Sequence, residues 1–168
     1  MSSSTERYCL DANVLIQAWR NYYSPKFCPD YWDLLRRLGH AQTIFLPSMV
    51  FDEIAKTEDQ LLEWLKSSGI ARYPIDESVA ACLKDIYAAN EKHKYLVDNI
   101  KQRSLADPWV IAHAMSEKAC VVTKEAKETA NSNRIKIPNV CANMGVPCIN
   151  DFQLIEKLGM KFSCMLPA

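Results

Sequence analysis

Short apolar runs alternate along this chain with longer segments whose apolar positions recur at helical spacing. Tyr8–Leu10, Thr43–Leu46, Ile70–Tyr73, Ala119–Val122 and Pro147–Ile149 are brief, bounded by polar or proline-rich stretches, and read as strands. Val14–Tyr22 reads as a helix. Pro29 and Asp30 open another through Leu38, which Gly39 is expected to stop as a C-cap. After Pro47 and Ser48, the residues Val50, Ile54, Leu61 and Leu65 fall on one face of a single long helix. Asp76-Glu77-Ser78 starts a helix leading to Ala89, Ser104–Ser116 forms another, and Asp151–Leu158 closes the chain's pattern, with Asp151 read as its cap. Glu91–Arg103 is polar and helical in part, whereas Lys124–Pro138 has no period and exceeds an ordinary connection. Strands separated by helical segments need crossover connections, so the fold class is α/β, a parallel sheet with helices on both faces.

Composition narrows this picture without changing it. With 168 residues the chain is expected to form one domain over 1–168, its polar start, residues 1–7, being flexible. Lys plus Arg (20) equal Asp plus Glu (20), so a polyanion would be held by a local patch and not by a global field. No apolar stretch reaches the roughly 18 residues of a membrane helix, and the start lacks the apolar core of a signal peptide. Seven scattered cysteines, odd in number, read as reduced cytosolic thiols and not as a disulfide framework. No Cys-x-x-Cys pair occurs and the three histidines stand alone, which argues against zinc; Cys141 and Cys148 are the nearest approach to a thiol pair. The four glycines form no Gly-x-Gly-x-x-Gly loop, which excludes a dinucleotide site.

The candidate chemistry is acidic. Asp11 ends the first strand and begins a helix, so it is a ligand at the sheet edge or a helix N-cap. Glu53 follows the second strand within a helical turn or two. Adjacent helix residues point about 100° apart, so Asp52 and Glu53 cannot both face one site, and Glu53 lies next to the apolar stripe at Val50 and Ile54. Asp107 precedes Pro108 and either caps a helix or, if Ser104-Leu105-Ala106 is already helical, faces inward with Ile111 and Ala114. Glu125 follows the fourth strand through Thr123 and Lys124, and Asp151 follows the fifth. Parallel strands end on one edge of the sheet, so these acids converge. Two carboxylates about 4 Å apart repel by roughly 4 kcal/mol at an effective dielectric of about 20. Such a cluster stays ionised only beside a cation, and oxygen ligands without Cys or His point to Mg²⁺ or Mn²⁺. These ions suit phosphodiester hydrolysis.

Four segments carry a resemblance: Leu10-Asp11-Ala12-Asn13-Val14-Leu15, Pro47-Ser48-Met49-Val50-Phe51-Asp52-Glu53-Ile54, Ala106-Asp107-Pro108-Trp109-Val110-Ile111-Ala112-His113-Ala114 and Val121-Val122-Thr123-Lys124-Glu125. In this order they resemble the PIN-domain ribonucleases, including the toxins of VapC-type toxin–antitoxin pairs. The later Ile137-Pro138-Asn139-Val140-Cys141 and Gly145-Val146-Pro147-Cys148-Ile149-Asn150 are similar to a PIN-like bacterial and archaeal branch.

The resemblance implies a three-layer α/β/α fold with a parallel sheet of four or five strands. It also implies a Mg²⁺- or Mn²⁺-dependent endoribonuclease with Asp11, Glu53, Asp107 and Glu125 as catalytic, metal-binding acids. Asp11 and Asp107 would hold the principal metal, Glu53 would bind it or accept a proton, and Glu125 would support a second ion or outer waters. Two departures stand out. Ala12 replaces a common Thr or Ser and removes a hydroxyl that orients the site, leaving Asn13 and Thr123 as supports, and Glu125 replaces a more usual Asp.

Lys101, Arg103, Lys124, Lys127, Arg134 and Lys136 are candidate contacts to RNA phosphates, which position a strand without reading its sequence. Trp19, Trp64 and Trp109 are candidates for base stacking or for the core. Expected partners are an RNA substrate, an antitoxin covering the acidic cleft with a helix, and a second copy of the chain, with no membrane. The rival class is a non-catalytic PIN-like module binding RNA or a protein. A phosphoenzyme using Asp11 covalently would want an acid where Asn13 stands.

Overall fold

The structure, a computed structural model, describes residues 6–168. Five strands form one sheet: β1 (Tyr8–Leu10), β2 (Ile44–Pro47), β3 (Ala71–Tyr73), β4 (Cys120–Val122) and β5 (Cys148–Ile149). All pairings are parallel and the order is β3-β2-β1-β4-β5. β1 is central, in register Tyr8 with Ile44 on one side and Tyr8 with Cys120 on the other. Strands buried on both sides by covering helices read as continuous apolar runs, as Tyr8–Leu10 and Cys120–Val122 do.

The helices are α1 (Ala12–Arg20), α2 (Pro29–His40), α3 (Ser48–Thr57), α4 (Asp59–Ser67), α5 (Glu77–Ala89), α6 (Asp107–Glu117), α7 (Ile137–Met144) and α8 (Asp151–Lys157), with a short 3₁₀ turn at Glu91–Leu96. From β1 the chain steps outward through β2 to β3, then crosses back to β4 and on to β5. Right-handed crossovers therefore place α1 to α4 on one face and α5 to α7 on the other. The contacts divide the same way: α1 packs on α3 and α3 on α4, while α6 packs on α5 and α7. The step direction reverses between β1 and β4, which makes the crevice at their C-terminal ends the topological switch point of the sheet.

Four expectations are corrected. α2 runs through Gly39 to His40, because Gly39 serves close packing and not chain reversal: a Cβ there would lie 2.9 Å from the Ile70 backbone nitrogen. The single long helix is two, broken at Glu58 (φ −142°, ψ 85°), although Val50, Ile54, Leu61 and Leu65 are all buried as the stripe requires. Ser104–Ala106 is not helical, so α6 begins at Asp107, which is nevertheless buried. Ile137–Met144 is a helix inside a region read without one, with proline in its first turn and Gly145 (φ 68°) ending it.

The expectation of a flexible start falls largely on residues 1–5, which lie outside the described residues. Arg7 itself is tied down by Glu117 at 2.6 Å, with its guanidinium over the Phe45 ring, and Glu6 pairs with Lys157 at 2.6 Å. Trp19, Trp32 and Trp64 pack edge to face, 4.8 Å between the Trp19 and Trp32 ring centres and again between Trp32 and Trp64, which assigns them to packing. All seven cysteines are free. Among the described residues, no helix is long and apolar enough to cross a membrane.

Candidate active site

Asp11 follows directly on β1, and its backbone N–H extends the β1–β4 ladder by donating to the Val122 carbonyl at 2.9 Å. It occupies the N-cap position of α1 with extended backbone (φ −76°, ψ 150°), yet its side chain accepts no capping bond. Instead the Thr123 hydroxyl, at the end of β4, donates to Asp11 Oδ2 at 2.8 Å. The same hydroxyl oxygen accepts the Glu125 N–H at 3.1 Å, and Glu125 Oε2 accepts the Ile137 N–H at 2.9 Å. One chain of hydrogen bonds thus runs from Asp11 across the switch point to the N-terminus of α7. Thr123 supplies, from the neighbouring strand, the orienting hydroxyl that Ala12 lacks. Asn13 is half-buried, and no hydrogen bond joins it to Asp11 among the described residues.

Asp107 enters from α6 with 7% exposure, and its N–H donates to the Ser104 carbonyl at 3.2 Å. Glu53 enters half-buried from α3, turned inward beside Val50 and Ile54, while its exposed neighbour Asp52 pairs outward with Arg72 at 2.7 Å. The charges of neighbouring acids act on Asp11 and Asp107. Burial, opposed by the Thr123 hydrogen bond and reinforced by the charges of Glu125 and Glu53, raises the Asp11 carboxyl to about 7. Burial with the charges of Asp11 and Glu125 raises Asp107 to about 9, against a hydrogen bond from Ser104. Glu53 is raised by burial, with Lys56 opposing.

Mutual repulsion in a desolvated pocket is the condition a hard divalent cation relieves, so the all-oxygen donor set fits Mg²⁺ or Mn²⁺ in chemistry and charge. The carboxylates are neighbours without being closed up: among the described residues, no three His, Cys, Asp or Glu side chains are gathered at ligating geometry. Glu125 in particular spends one oxygen on α7. Bringing Glu53 onto a cation beside Asp11 and Asp107 would require it to swing inward, which its long side chain permits.

The six bases separate. Lys124 is committed to Asp151, 3.0 and 3.3 Å from its two oxygens, and lies over the rings of Tyr22 (4.6 Å) and Phe152 (4.4 Å). Its side chain is 16% exposed and that of Asp151 1%, so this base is not free to meet a phosphate. Asp151 is correspondingly not the cap of α8. Asn150 is, in a reciprocal box with Gln153. Lys136 pairs with Glu128 at 3.0 Å. Lys127 and Arg134 are exposed and share a shallow cleft of about 250 Å³ with Lys92. Lys101 and Arg103 lie on the exposed loop before α6, and Arg103 lines a cleft that Glu53 also lines. Sequence reading missed Lys56 beside Glu53 and the Lys124–Asp151 pair. The turn-spaced Glu53 and Lys56 were a visible signal for the first, whereas nothing local links residues 27 positions apart.

A parallel sheet in the order β3-β2-β1-β4-β5, covered by helices on both faces, is a PIN-like α/β/α fold. The chain belongs to the family described as "Domain of unknown function (DUF4411)", whose profile matches residues 8–162. Among solved structures it is similar to VapBC2 from Rickettsia felis bound to a DNA fragment from their promoter, with 17% identity and a TM-score of 0.57 over 85% of this chain and 97% of that one. It is also similar to FitAcB from Neisseria gonorrhoeae, again at 17% identity, with a TM-score of 0.52 over 86% of this chain and 98% of that one. At this identity the likeness is one of fold. No curated protein matches the chain.

Proposed function

We propose that this protein is a Mg²⁺- or Mn²⁺-dependent endoribonuclease that hydrolyses RNA phosphodiesters at the edge shared by β1 and β4. The observation that carries the reading is the convergence of Asp11, Glu53, Asp107 and Glu125 at the switch point, with Asp11 and Asp107 pushed to about 7 and about 9. Strongly perturbed acids cluster at functional sites. In this reading Asp11 and Asp107 hold the cation, and Thr123 fixes the Asp11 carboxylate through its 2.8 Å hydrogen bond. The cation, when bound, supplies the Lewis acidity that lowers the pKa of a water and stabilises the departing oxygen. Glu53, raised by burial, either joins Asp11 and Asp107 on the cation or takes the proton of the attacking water. Glu125 steadies the N-terminal end of α7 and contributes charge to the outer part of the site.

The likeness to VapBC2 and FitAcB, joined to the sequence resemblance, favours a toxin of a toxin–antitoxin pair as the setting, with a small partner protein covering the acids. Two observations favour a second reading, a PIN-like module that binds without cutting: Glu125 is engaged at Ile137, and among the described residues the acids stand unclosed. Asp11→Asn separates the two. It should abolish Mn²⁺-dependent cleavage of mixed-sequence RNA while leaving the near-ultraviolet circular dichroism unchanged. Equal cleavage by both forms would overturn the assignment of Asp11, and no cleavage by the unaltered chain across varied RNAs would favour the binding module.

A further inference from the structure

Beside the acids, α3 and the loop preceding α6 enclose a cleft of about 400 Å³ lined by Met49, Glu53, Lys56, Gln102, Arg103 and Leu105, among others. Its volume is in the range of small-ligand sites, about 300–1,000 Å³, enough for one nucleotide and too small for a duplex. Glu53 belongs to both the cleft and the acid cluster. Its lining also includes Ala106, the residue before Asp107.

The wall chemistry is divided. Met49 and Leu105 are half-buried and apolar, while Lys56 and Arg103 are exposed cations that, among the described residues, take part in no ion pair. Of the two acids in the lining, Asp52 pairs with Arg72 at 2.7 Å and Glu53 lies within the field of Lys56. An apolar wall beside two cations that stand outside any ion pair among the described residues matches a flat heterocycle joined to a phosphate.

The loop is built and not slack. Asp98 and Arg103 exchange backbone hydrogen bonds of 3.2 and 3.1 Å, and Asp98 Oδ1 accepts the Lys101 N–H at 3.0 Å. The residues either side of Arg103, Gln102 (φ 51°) and Ser104 (φ 56°), hold left-handed backbone without being glycine. Each costs about 1–3 kcal/mol, and such strain is kept where it aims a side chain. Gln102 is itself pinned, its amide nitrogen donating to the Asn99 carbonyl at 2.6 Å, which leaves its side-chain oxygen as an acceptor for a base edge.

We propose that this cleft holds one nucleotide of a single-stranded nucleic acid next to the phosphodiester facing the acids, its base on Met49 and Leu105 and its phosphate between Lys56 and Arg103. Its position beside the scissile phosphodiester rests on the nuclease reading; the nucleotide site itself does not.

The test is a nuclear magnetic resonance titration of the full chain, without added divalent ions, using the ribo- and deoxyribotrinucleotides of uridine and, separately, inorganic phosphate. The expected result is a shift of the Met49 methyl and of the Lys56, Gln102, Arg103 and Leu105 amides with either trinucleotide, and at least a ten-fold loss of affinity in Lys56→Ala/Arg103→Ala with helical content unchanged. A ribose preference identifies the strand as RNA, and equal affinities identify a single strand of either sugar. Shifts confined to residues 127–136, no shifts at all, or the same shifts at the same affinity with phosphate alone would overturn the proposal. Seating in the cleft without any RNA cleavage in Mn²⁺ would sink the nuclease reading and leave the nucleotide site standing. Cleavage without these shifts would do the reverse.

Discussion

Replacing Asp11 by Asn should stabilise the metal-free protein at neutral pH, and the size of the gain follows from where Asp11 is placed. The carboxyl is 2% exposed and rises from an ordinary 3.8 to about 7, chiefly through burial. Each unit of pKa difference between folded and unfolded chain is worth about 1.4 kcal/mol, so ionised Asp11 carries a penalty of about 4 kcal/mol. Below about pH 4 the carboxyl is protonated in both states and the fold loses nothing. Between about pH 4 and 7 the unfolded chain releases its proton first, and stability falls as pH rises. Above about 7 the loss is complete. Asn cannot ionise and can still accept the Thr123 hydroxyl, but it brings an amide N–H₂ whose burial without partners costs about 1–3 kcal/mol. The net gain at pH 8 is therefore about 1–3 kcal/mol, or a rise in Tm of about 2–4 °C per kcal/mol for a chain of this length. Thermal unfolding by circular dichroism, in EDTA from pH 4.5 to 8, reads it directly. A Tm difference between variant and parent that stays flat or shrinks as pH rises would refute the claim that Asp11 is a strained buried carboxylate.

Two further perturbations probe its supports. Thr123→Val keeps shape but removes the hydroxyl that donates to Asp11 and accepts from Glu125; it should cost about 1–3 kcal/mol in urea unfolding and move the Asp11 titration upward, because that hydrogen bond holds the carboxyl down. Lys124→Met leaves Asp151 buried and unpaired, so it should cost about 3–5 kcal/mol, with much of the loss recovered by adding Asp151→Leu; a loss under about 1 kcal/mol would mean that the pair does not clamp the turn after β4.

The alternation of short apolar runs with helical segments made the five strands legible. Asp107 was legible for a partly wrong reason: the preceding residues are not helical, but Asp-Pro opening α6 still buries the carboxylate. The break at Glu58 was hidden because no Gly or Pro marks it and the buried stripe continues in phase across it. α7 was announced by Pro138 and Gly145, but eight residues between irregular flanks give little periodicity to detect. Lys124 illustrates the general limit. Its charge and its place beside Glu125 read as a phosphate contact, and only the pairing of β4 with β5 brings Asp151 within 3.0 Å of it. Thr123 reaches Asp11 from 112 positions away for the same reason, through strand register that no local pattern encodes.

In the proposed reading Asp11, Glu53 and Asp107 form a divalent-cation site at the switch point of the sheet. Crystals soaked in Mn²⁺ and measured at the manganese absorption edge test it most directly. The expected result is an anomalous peak between these three carboxylates, with Glu53 swung inward and oxygen distances of about 2.0–2.3 Å, and no peak in Asp11→Asn crystals. An unaltered protein that soaks in Mn²⁺ with no peak there, its carboxylates still apart, would contradict the account.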